Sequence, residues 1–389
     1  MMRHPGFGQI RRGYIFGEIR ERLAGRICDR HGRRLISLGV GDATRPITRA
    51  VADAMSRAAR EMSVAATFRG YGPTAGYAFL RDAVAERYAA RGLSLTADEV
   101  FVTDGAKSCL TALAALWGDV PMYLPCPAYP ATADACRLAG REIVYLPCDE
   151  ARGFLPRPED LPPRPGVVWL CSPANPQGVA FDYPGLAAWV AAARRRGDVI
   201  VSDAAYAPFV SGRYPASVYE APEGRACAVE VCSLSKGASF TGLRCGWCVI
   251  PRGIVTDGGI PLRDSWTRRA EATVNGVAYP VQRAAEAALP DEAAERDNAA
   301  AYLEGARLLA AALGAAGYRF CGGEVSPYLW VACKNGGGSW SFFENWVENK
   351  GLVVTPGVGF GEGGDGYVRL SAFCSPADCA EAAERIRNG

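Results

Sequence analysis

An amine stands among hydroxyls at Lys236, in Ser233-Leu234-Ser235-Lys236, shortly before Arg244 in Gly242-Leu243-Arg244-Cys245-Gly246-Trp247. The chain has four lysines (Lys107, Lys236, Lys334, Lys350) against 39 arginines. An amine condenses with an aldehyde and a guanidinium does not, so a lysine kept in an arginine-rich chain points to Schiff-base chemistry. The plainer alternative is a solvated lysine at a strand-to-helix turn. Two upstream residues favour chemistry. Asp203 ends the apolar run Val199-Ile200-Val201-Ser202, and Asn175, in Ser172-Pro173-Ala174-Asn175-Pro176-Gln177-Gly178, follows the apolar run Val167 to Cys171. Pyridoxal 5'-phosphate needs a lysine for its aldehyde, a carboxylate to keep its ring nitrogen protonated and a donor for its phenolic oxygen. Lys236, Asp203 and Asn175 have those types. Singly, Asp203 could cap a helix and Asn175-Pro176 could make a turn; the conjunction carries the reading.

That cofactor also needs a phosphate site. Glu99-Val100-Phe101-Val102-Thr103 reads as a strand, and Asp104-Gly105-Ala106-Lys107-Ser108 opens a helix running through Leu116. Backbone N–H groups at Ala106 and Lys107, at the positive end of the helix dipole, bind a phosphate without a side chain. Ser233, Ser235 and Arg244 would complete the cradle by hydroxyl and charge-assisted hydrogen bonds. Tyr129, in Pro127-Ala128-Tyr129-Pro130 after the short strand Met122 to Leu124, could stack on the pyridine face or serve as a core aromatic. Arg369 lies inside the alternating Tyr367-Val368-Arg369-Leu370-Ser371. Pointing inward it needs an anionic partner; pointing outward it is a solvated strand residue.

From Gly39 to Arg369 the chain resembles the class I/II aminotransferases of the fold-type I pyridoxal-phosphate superfamily, and within them the LL-diaminopimelate aminotransferases. The stretches that carry the resemblance are Leu38-Gly39-Val40-Gly41-Asp42, Arg69-Gly70-Tyr71-Gly72-Pro73, Asp104-Gly105-Ala106-Lys107, Cys171-Ser172-Pro173, Phe240-Thr241-Gly242-Leu243-Arg244, Thr355-Pro356-Gly357 and Val368-Arg369-Leu370-Ser371-Ala372-Phe373. The resemblance implies a catalytic set of Lys236, Asp203 and Tyr129, with Lys236 holding the cofactor and moving the substrate Cα proton. It implies that Tyr206 joins Asn175 at the phenolic oxygen and that Tyr71 reaches the phosphate of the neighbouring subunit of a homodimer. Arg369 would pair with the substrate α-carboxylate. Tyr14, Gly41, Lys107, Tyr129, Asn175 and Asn275 would line the substrate pocket, with Asn275 also touching the cofactor. The implied reaction is ping-pong transfer of an amino group between glutamate/2-oxoglutarate and LL-diaminopimelate/tetrahydrodipicolinate, so the partners are a small amino acid and a 2-oxo acid.

Departures from the family pattern bear on the substrate. The loop after Gly70-Tyr71-Gly72 has Thr74 where the family has an acidic residue that helps hold a distal ammonium. One charged hydrogen bond of this kind is worth about 1.5–3 kcal/mol. Ala174 and Gln177 replace residues usual in the Asn-Pro loop, and Cys126 and Thr132 flank Tyr129 where the family more often has Asp and Tyr. None removes a bond-making group. They leave open an aminotransferase or lyase acting on another amino acid. A non-catalytic regulator that binds the same cofactor is a second alternative, disfavoured because the chain starts almost directly with its N-terminal arm.

Strand-like runs alternate with helical ones from about Glu99 to Ile250, with helices expected near Ala78–Ala90, Ala106–Leu116, Tyr129–Ala139 and Pro184–Arg196. The pattern predicts an α/β fold with a mostly parallel central sheet, helices on both faces, and the site at the carboxyl ends of the strands. A long helical stretch from Val281 to Ala316 precedes a mixed region from Tyr318 to Gly389. Residues 1–45 are read as an arm and part of a small domain, 46–280 as the large cofactor-binding domain and 281–389 as the small α+β domain. Asn335 to Ser339 and Gly361 to Gly366 are expected loops.

Composition narrows the alternatives. With 389 residues, 49% of them apolar, the chain can bury two cores. A net charge of +2 gives no electrostatic reason to expect nucleic acid. No apolar run reaches membrane-spanning length and Met1-Met2-Arg3-His4-Pro5-Gly6 has no signal-peptide core, so a cytoplasmic location is expected. Fourteen cysteines lie mostly in apolar runs, and Cys245-Gly246-Trp247-Cys248 falls on an expected strand that sends its two thiols to opposite faces. With only His4 and His31, neither a histidine base nor a metal site is expected.

Overall fold

The computed structural model describes residues 6–10, 14–256 and 258–388; His4 and the rest of the Met1–Pro5 start lie outside them. In chain order the strands are β1 (Ile36–Ser37), β2 (Val100–Thr103), β3 (Met122–Cys126), β4 (Ile143–Pro147), β5 (Val167–Cys171), β6 (Val199–Asp203), β7 (Ala228–Ser233), β8 (Gly246–Val249), β9 (Phe320–Gly322), β10 (Tyr328–Ala332), β11 (Leu352–Val353), β12 (Thr355–Pro356) and β13 (Tyr367–Ser371). The helices are α1 (Gly6–Gln9), α2 (Ile15–Arg22), α3 (Arg49–Glu61), α4 (Ala78–Ala89), α5 (Ala106–Ala114), α6 (Pro130–Leu138), α7 (Tyr183–Arg196), α8 (Leu234–Gly237), α9 (Leu262–Thr273), α10 (Tyr279–Ala288), α11 (Glu292–Ala315), α12 (Ser339–Lys350) and α13 (Pro376–Arg387).

Seven strands form the main sheet in the order β2-β8-β7-β6-β5-β3-β4. All neighbours are parallel except β8, which runs antiparallel to both β2 and β7. Both faces are covered, which is why its strands are continuous apolar runs rather than alternating ones. One face packs into a core with Val168, Ile200, Trp189 and Phe240, the other into a core with Val201, Val229, Leu113 and Trp169. Cys245 belongs to the first core and Cys248 to the second, as strand alternation requires.

The expected 281–316 helix is two helices. Pro290 cannot supply a helical N–H, and Asp291 restarts the chain by accepting the Ala294 N–H at 3.2 Å. The break changes the packing assignment as well. Ala284, Ala285 and Ala288 of α10 pack in the large-sheet core, so the change from one core to the other falls near residue 290 rather than at 280/281. α11, α12 and α13 cover a smaller antiparallel sheet, β12-β13-β10-β9, and β1 of the N-terminal segment pairs with β11 beside them. The expected loops carry short 3-10 turns at Lys334–Gly336 and Glu362–Gly364. Among the described residues no helix is long and apolar enough to cross a membrane.

Candidate active site

The carboxyl ends of β5, β6 and β7 deliver Asn175, Asp203 and Ser233 to one edge of the main sheet, and α8 adds Lys236 one turn later. β2 ends beside them and leads through Gly105 into α5. The small sheet faces this edge and contributes Arg369 from β13. Gly41, Ala106, Lys107, Tyr129, Asn175 and Asp203 line a single cleft of about 260 Å³ together with Tyr206, Ser233, Ser235, Lys236, Arg244 and Arg369. Loops far apart in sequence therefore converge, as the strand-end rule for open parallel sheets leads one to expect.

Burial pushes the Asp203 carboxyl up to about 6, against the lowering pull of the Ala205 N–H at 3.0 Å and the Cys171 thiol. Among the described residues no cation acts on it; what acts is burial, the Ala205 N–H and the Cys171 thiol. A desolvated carboxylate without a counter-charge is costly, and a ligand bearing a protonated ring nitrogen would remove that cost. Burial lowers Lys236 to about 8; Asp42 opposes this, and Arg369 and Arg244 add to it. Its ammonium donates to the Gly41 carbonyl and lies 5.2 Å from the centre of the Phe373 ring. A substantial neutral fraction near pH 8 is what a nucleophilic amine requires.

Asn175 is buried between two functions. Its Nδ2 donates to the Tyr206 hydroxyl at 3.3 Å, and its Oδ1 accepts from Arg369 Nη1 at 2.8 Å. Arg369 is 2% exposed, which settles its direction inward, and its second nitrogen donates to the Gly39 carbonyl at 2.6 Å. Its Nε has no partner among the described residues. Tyr129 immediately precedes α6, with its phenol raised well above the usual value by burial and then by Tyr14.

At the other end of the cleft, Ser233 Oγ donates to Ser235 Oγ at 2.9 Å, which accepts from Arg244 Nη1 at 3.3 Å. Gly105 has φ +117°, and a Cβ on it would lie 2.4 Å from Arg244 Nη2. Glycine therefore lets the guanidinium close on the start of α5, whose first N–H groups have no partner inside the helix. Two serine hydroxyls, an arginine and a helix N-terminus form a cradle for a dianion. Carboxylate, amine and anion cradle lie in one cleft, and together they fit pyridoxal phosphate.

Three expected residues stand apart. Tyr71 is 89% exposed, and neither it nor Asn275 lines the cleft. Asn275 follows the end of α9, where Val274 is extended and Gly276, at φ +80°, turns the chain against Pro73, so its side chain stays exposed in its own subunit. Tyr14 sits at the rim, its ring centre 5.0 Å from Lys107 Nζ. The neighbours of the outlying pair, Thr74 and Gly276, line a groove that also includes Lys107 and Arg244. Gln177 is buried and donates to the Pro127 carbonyl at 2.6 Å, tying the Asn-Pro loop to the Tyr129 loop. The sequence reading missed Phe16, Thr241 and Tyr328, all in the cleft wall. Tyr328 could have been found only through the register that pairs Trp330 with Arg369, which puts Tyr328 diagonally beside the arginine on the same sheet face.

The family of aminotransferases class I and II matches residues 33–386. The chain belongs to that family. It is an aminotransferase, from a family that works with pyridoxal phosphate on amino and 2-oxo acids. LL-diaminopimelate aminotransferase of Desulfosudis oleivorans is 40% identical over 400 residues, covering 98% of this chain and 97% of that protein. The protein of the same name from Agathobacter rectalis is 37% identical, covering 99% and 98%. Among solved structures, L,L-diaminopimelate aminotransferase from Chlamydomonas reinhardtii is 33% identical, with a TM-score of 0.92 over 99% of this chain and 98% of that one. The fold-type I architecture expected from the sequence is thus shared over nearly the whole length.

Proposed function

We propose that this aminotransferase moves an amino group between glutamate/2-oxoglutarate and LL-diaminopimelate/tetrahydrodipicolinate, with pyridoxal phosphate carried on Lys236. The observation that carries the substrate is the end-to-end likeness to relatives named for it, at 37% and 40% identity.

When bound, the cofactor draws electrons from the substrate Cα and stores the amino group between half-reactions. Asp203 would keep the ring nitrogen as its cation, and the buried carboxylate would gain a counter-charge in return. Tyr206 and Asn175 would donate to the phenolic oxygen, and Tyr129 would pack against the ring. Ser233, Ser235, Arg244 and the start of α5 hold the phosphate. Arg369 offers a planar two-pronged donor to the α-carboxylate, replacing its contact with the Gly39 carbonyl. Lys236 would hold the cofactor's aldehyde carbon and would take the Cα proton; burial keeps enough of its Nζ unprotonated to do so. Lys107 supplies charge for a second carboxylate, and a partner subunit supplies Tyr71 and Asn275. The test is turnover with a panel of amino acids. LL-diaminopimelate should give the largest kcat/KM, and a larger value for another donor would overturn the substrate.

Thr74 supports a second reading, an aminotransferase for an amino acid without a distal ammonium. In that case Thr74→Glu should raise kcat/KM for LL-diaminopimelate by roughly ten- to a hundredfold. An unchanged value would remove that reading.

A further inference from the structure

We infer that Tyr328 is a positioning residue that links the cofactor's phenolic-oxygen contact to the carboxylate-binding arginine. Its side chain is 1% exposed, and it lines the cleft. Its hydroxyl is 2.9 Å from that of Tyr206, its one hydrogen-bond partner among the described residues. A buried hydroxyl has to donate to something. Either hydroxyl of this pair can donate; once the Tyr206 proton goes to a phenolic oxygen in the cleft, as the cofactor reading requires, Tyr328 is the donor to the Tyr206 oxygen. That oxygen also accepts from Asn175 Nδ2 at 3.3 Å. A phenol oxygen has two acceptor positions and one proton. With both positions filled, the remaining proton of Tyr206 is left for the cleft, where the phenolic oxygen has to be met. A phenol that accepts two hydrogen bonds is also a stronger donor.

The other face of the argument is the ring. Arg369 Cζ lies 4.4 Å from its centre, a cation–π distance, and the ring meets Tyr206 edge-on at 5.3 Å. Register explains the contact: Tyr328 and Arg369 are diagonal neighbours on one face of the β10–β13 pair. Gly41 completes the fit, since a Cβ there would fall 2.0 Å from the Tyr328 hydroxyl. One side chain thus holds the direction of Tyr206 through oxygen and the plane of Arg369 through its ring.

This inference rests on the cofactor reading above, and two variants separate them. Tyr328→Phe keeps the ring and removes the hydroxyl; Tyr328→Leu removes both. The readouts are the pH titration of the visible band of the lysine-bound cofactor and the KM for amino donors. Tyr328→Phe should raise the midpoint of the band by roughly half a pH unit, because a weaker donor stabilises the phenolate less, and leave KM within about twofold. Tyr328→Leu should raise KM roughly two- to fivefold as well. If the wild-type protein shows a titrating band and Tyr328→Phe leaves its midpoint unchanged, the positioning role is wrong and the cofactor reading stands. If the wild-type protein incubated with pyridoxal phosphate shows no such band, both fall.

Discussion

At the scale of single residues, the site is organised by buried charges, above all the Asp203 carboxyl. The folded pKa of Asp203, about 6, exceeds that of a free aspartate. Ionising it in the fold therefore costs stability as pH rises through that range, on the order of 2–3 kcal/mol once fully ionised. Asp203→Asn should stabilise the cofactor-free protein above pH 7, leave it unaffected below pH 4, and abolish turnover. Thermal unfolding at the two pH values checks the first part, and a loss of stability above pH 7 would contradict it. Arg369 allows a different separation. Arg369→Lys keeps the charge but loses the fork, so KM for amino donors should rise roughly tenfold or more, measured by steady-state kinetics across donor concentrations. Lys236, Asp203 and Asn175 were legible because chemistry restricts their types and because each follows an apolar run. Tyr328 was not, since its role depends on a strand pairing with residues about forty positions away.

At the scale of elements, the start of α5 and the end of β7 are designed around one backbone position. Gly105→Ala would put a methyl against the Arg244 guanidinium in a conformation that side chains rarely adopt. It should weaken cofactor binding at least tenfold while the protein still folds, as read by fluorescence titration with pyridoxal phosphate alongside circular dichroism. Helices with clear ends were placed closely by sequence: α4, α6 and α7 lie within a residue or so of their expected limits. The long helical stretch expected from Val281 to Ala316 is divided at Pro290, and α10 then packs on α3 and α4 against the large-sheet core. α3 and α9 carry few large apolar residues and were not singled out. The buried face of α3 depends largely on small side chains such as Ala54 and Ala58, whereas α9 buries Leu262 and Trp266 beside Ala270.

At the scale of the whole molecule, the fold brings a large sheet and a small one together around one cleft. Tyr71 and Asn275 are exposed, yet their neighbours border the groove next to Lys107 and Arg244. The proposed homodimer, in which each subunit would complete the other's site, would account for both facts. Mixing a Tyr71→Ala protein with a Lys236→Ala protein, unfolding and refolding them together, should restore activity to about a quarter of wild type, because random pairing gives half hybrid dimers with one intact site each. No recovery would mean that Tyr71 serves its own chain. Substrate identity is the property least visible in this architecture, since a departure such as Thr74 leaves the bond-making groups untouched.

The most direct measurement is the absorbance spectrum of the purified, cofactor-loaded protein during titration with LL-diaminopimelate, with L-glutamate, L-aspartate and L-lysine in parallel. LL-diaminopimelate and glutamate should convert the visible band to that of the amine form, while aspartate and lysine leave it in place. A band that glutamate converts and LL-diaminopimelate does not would contradict the assignment of the substrate.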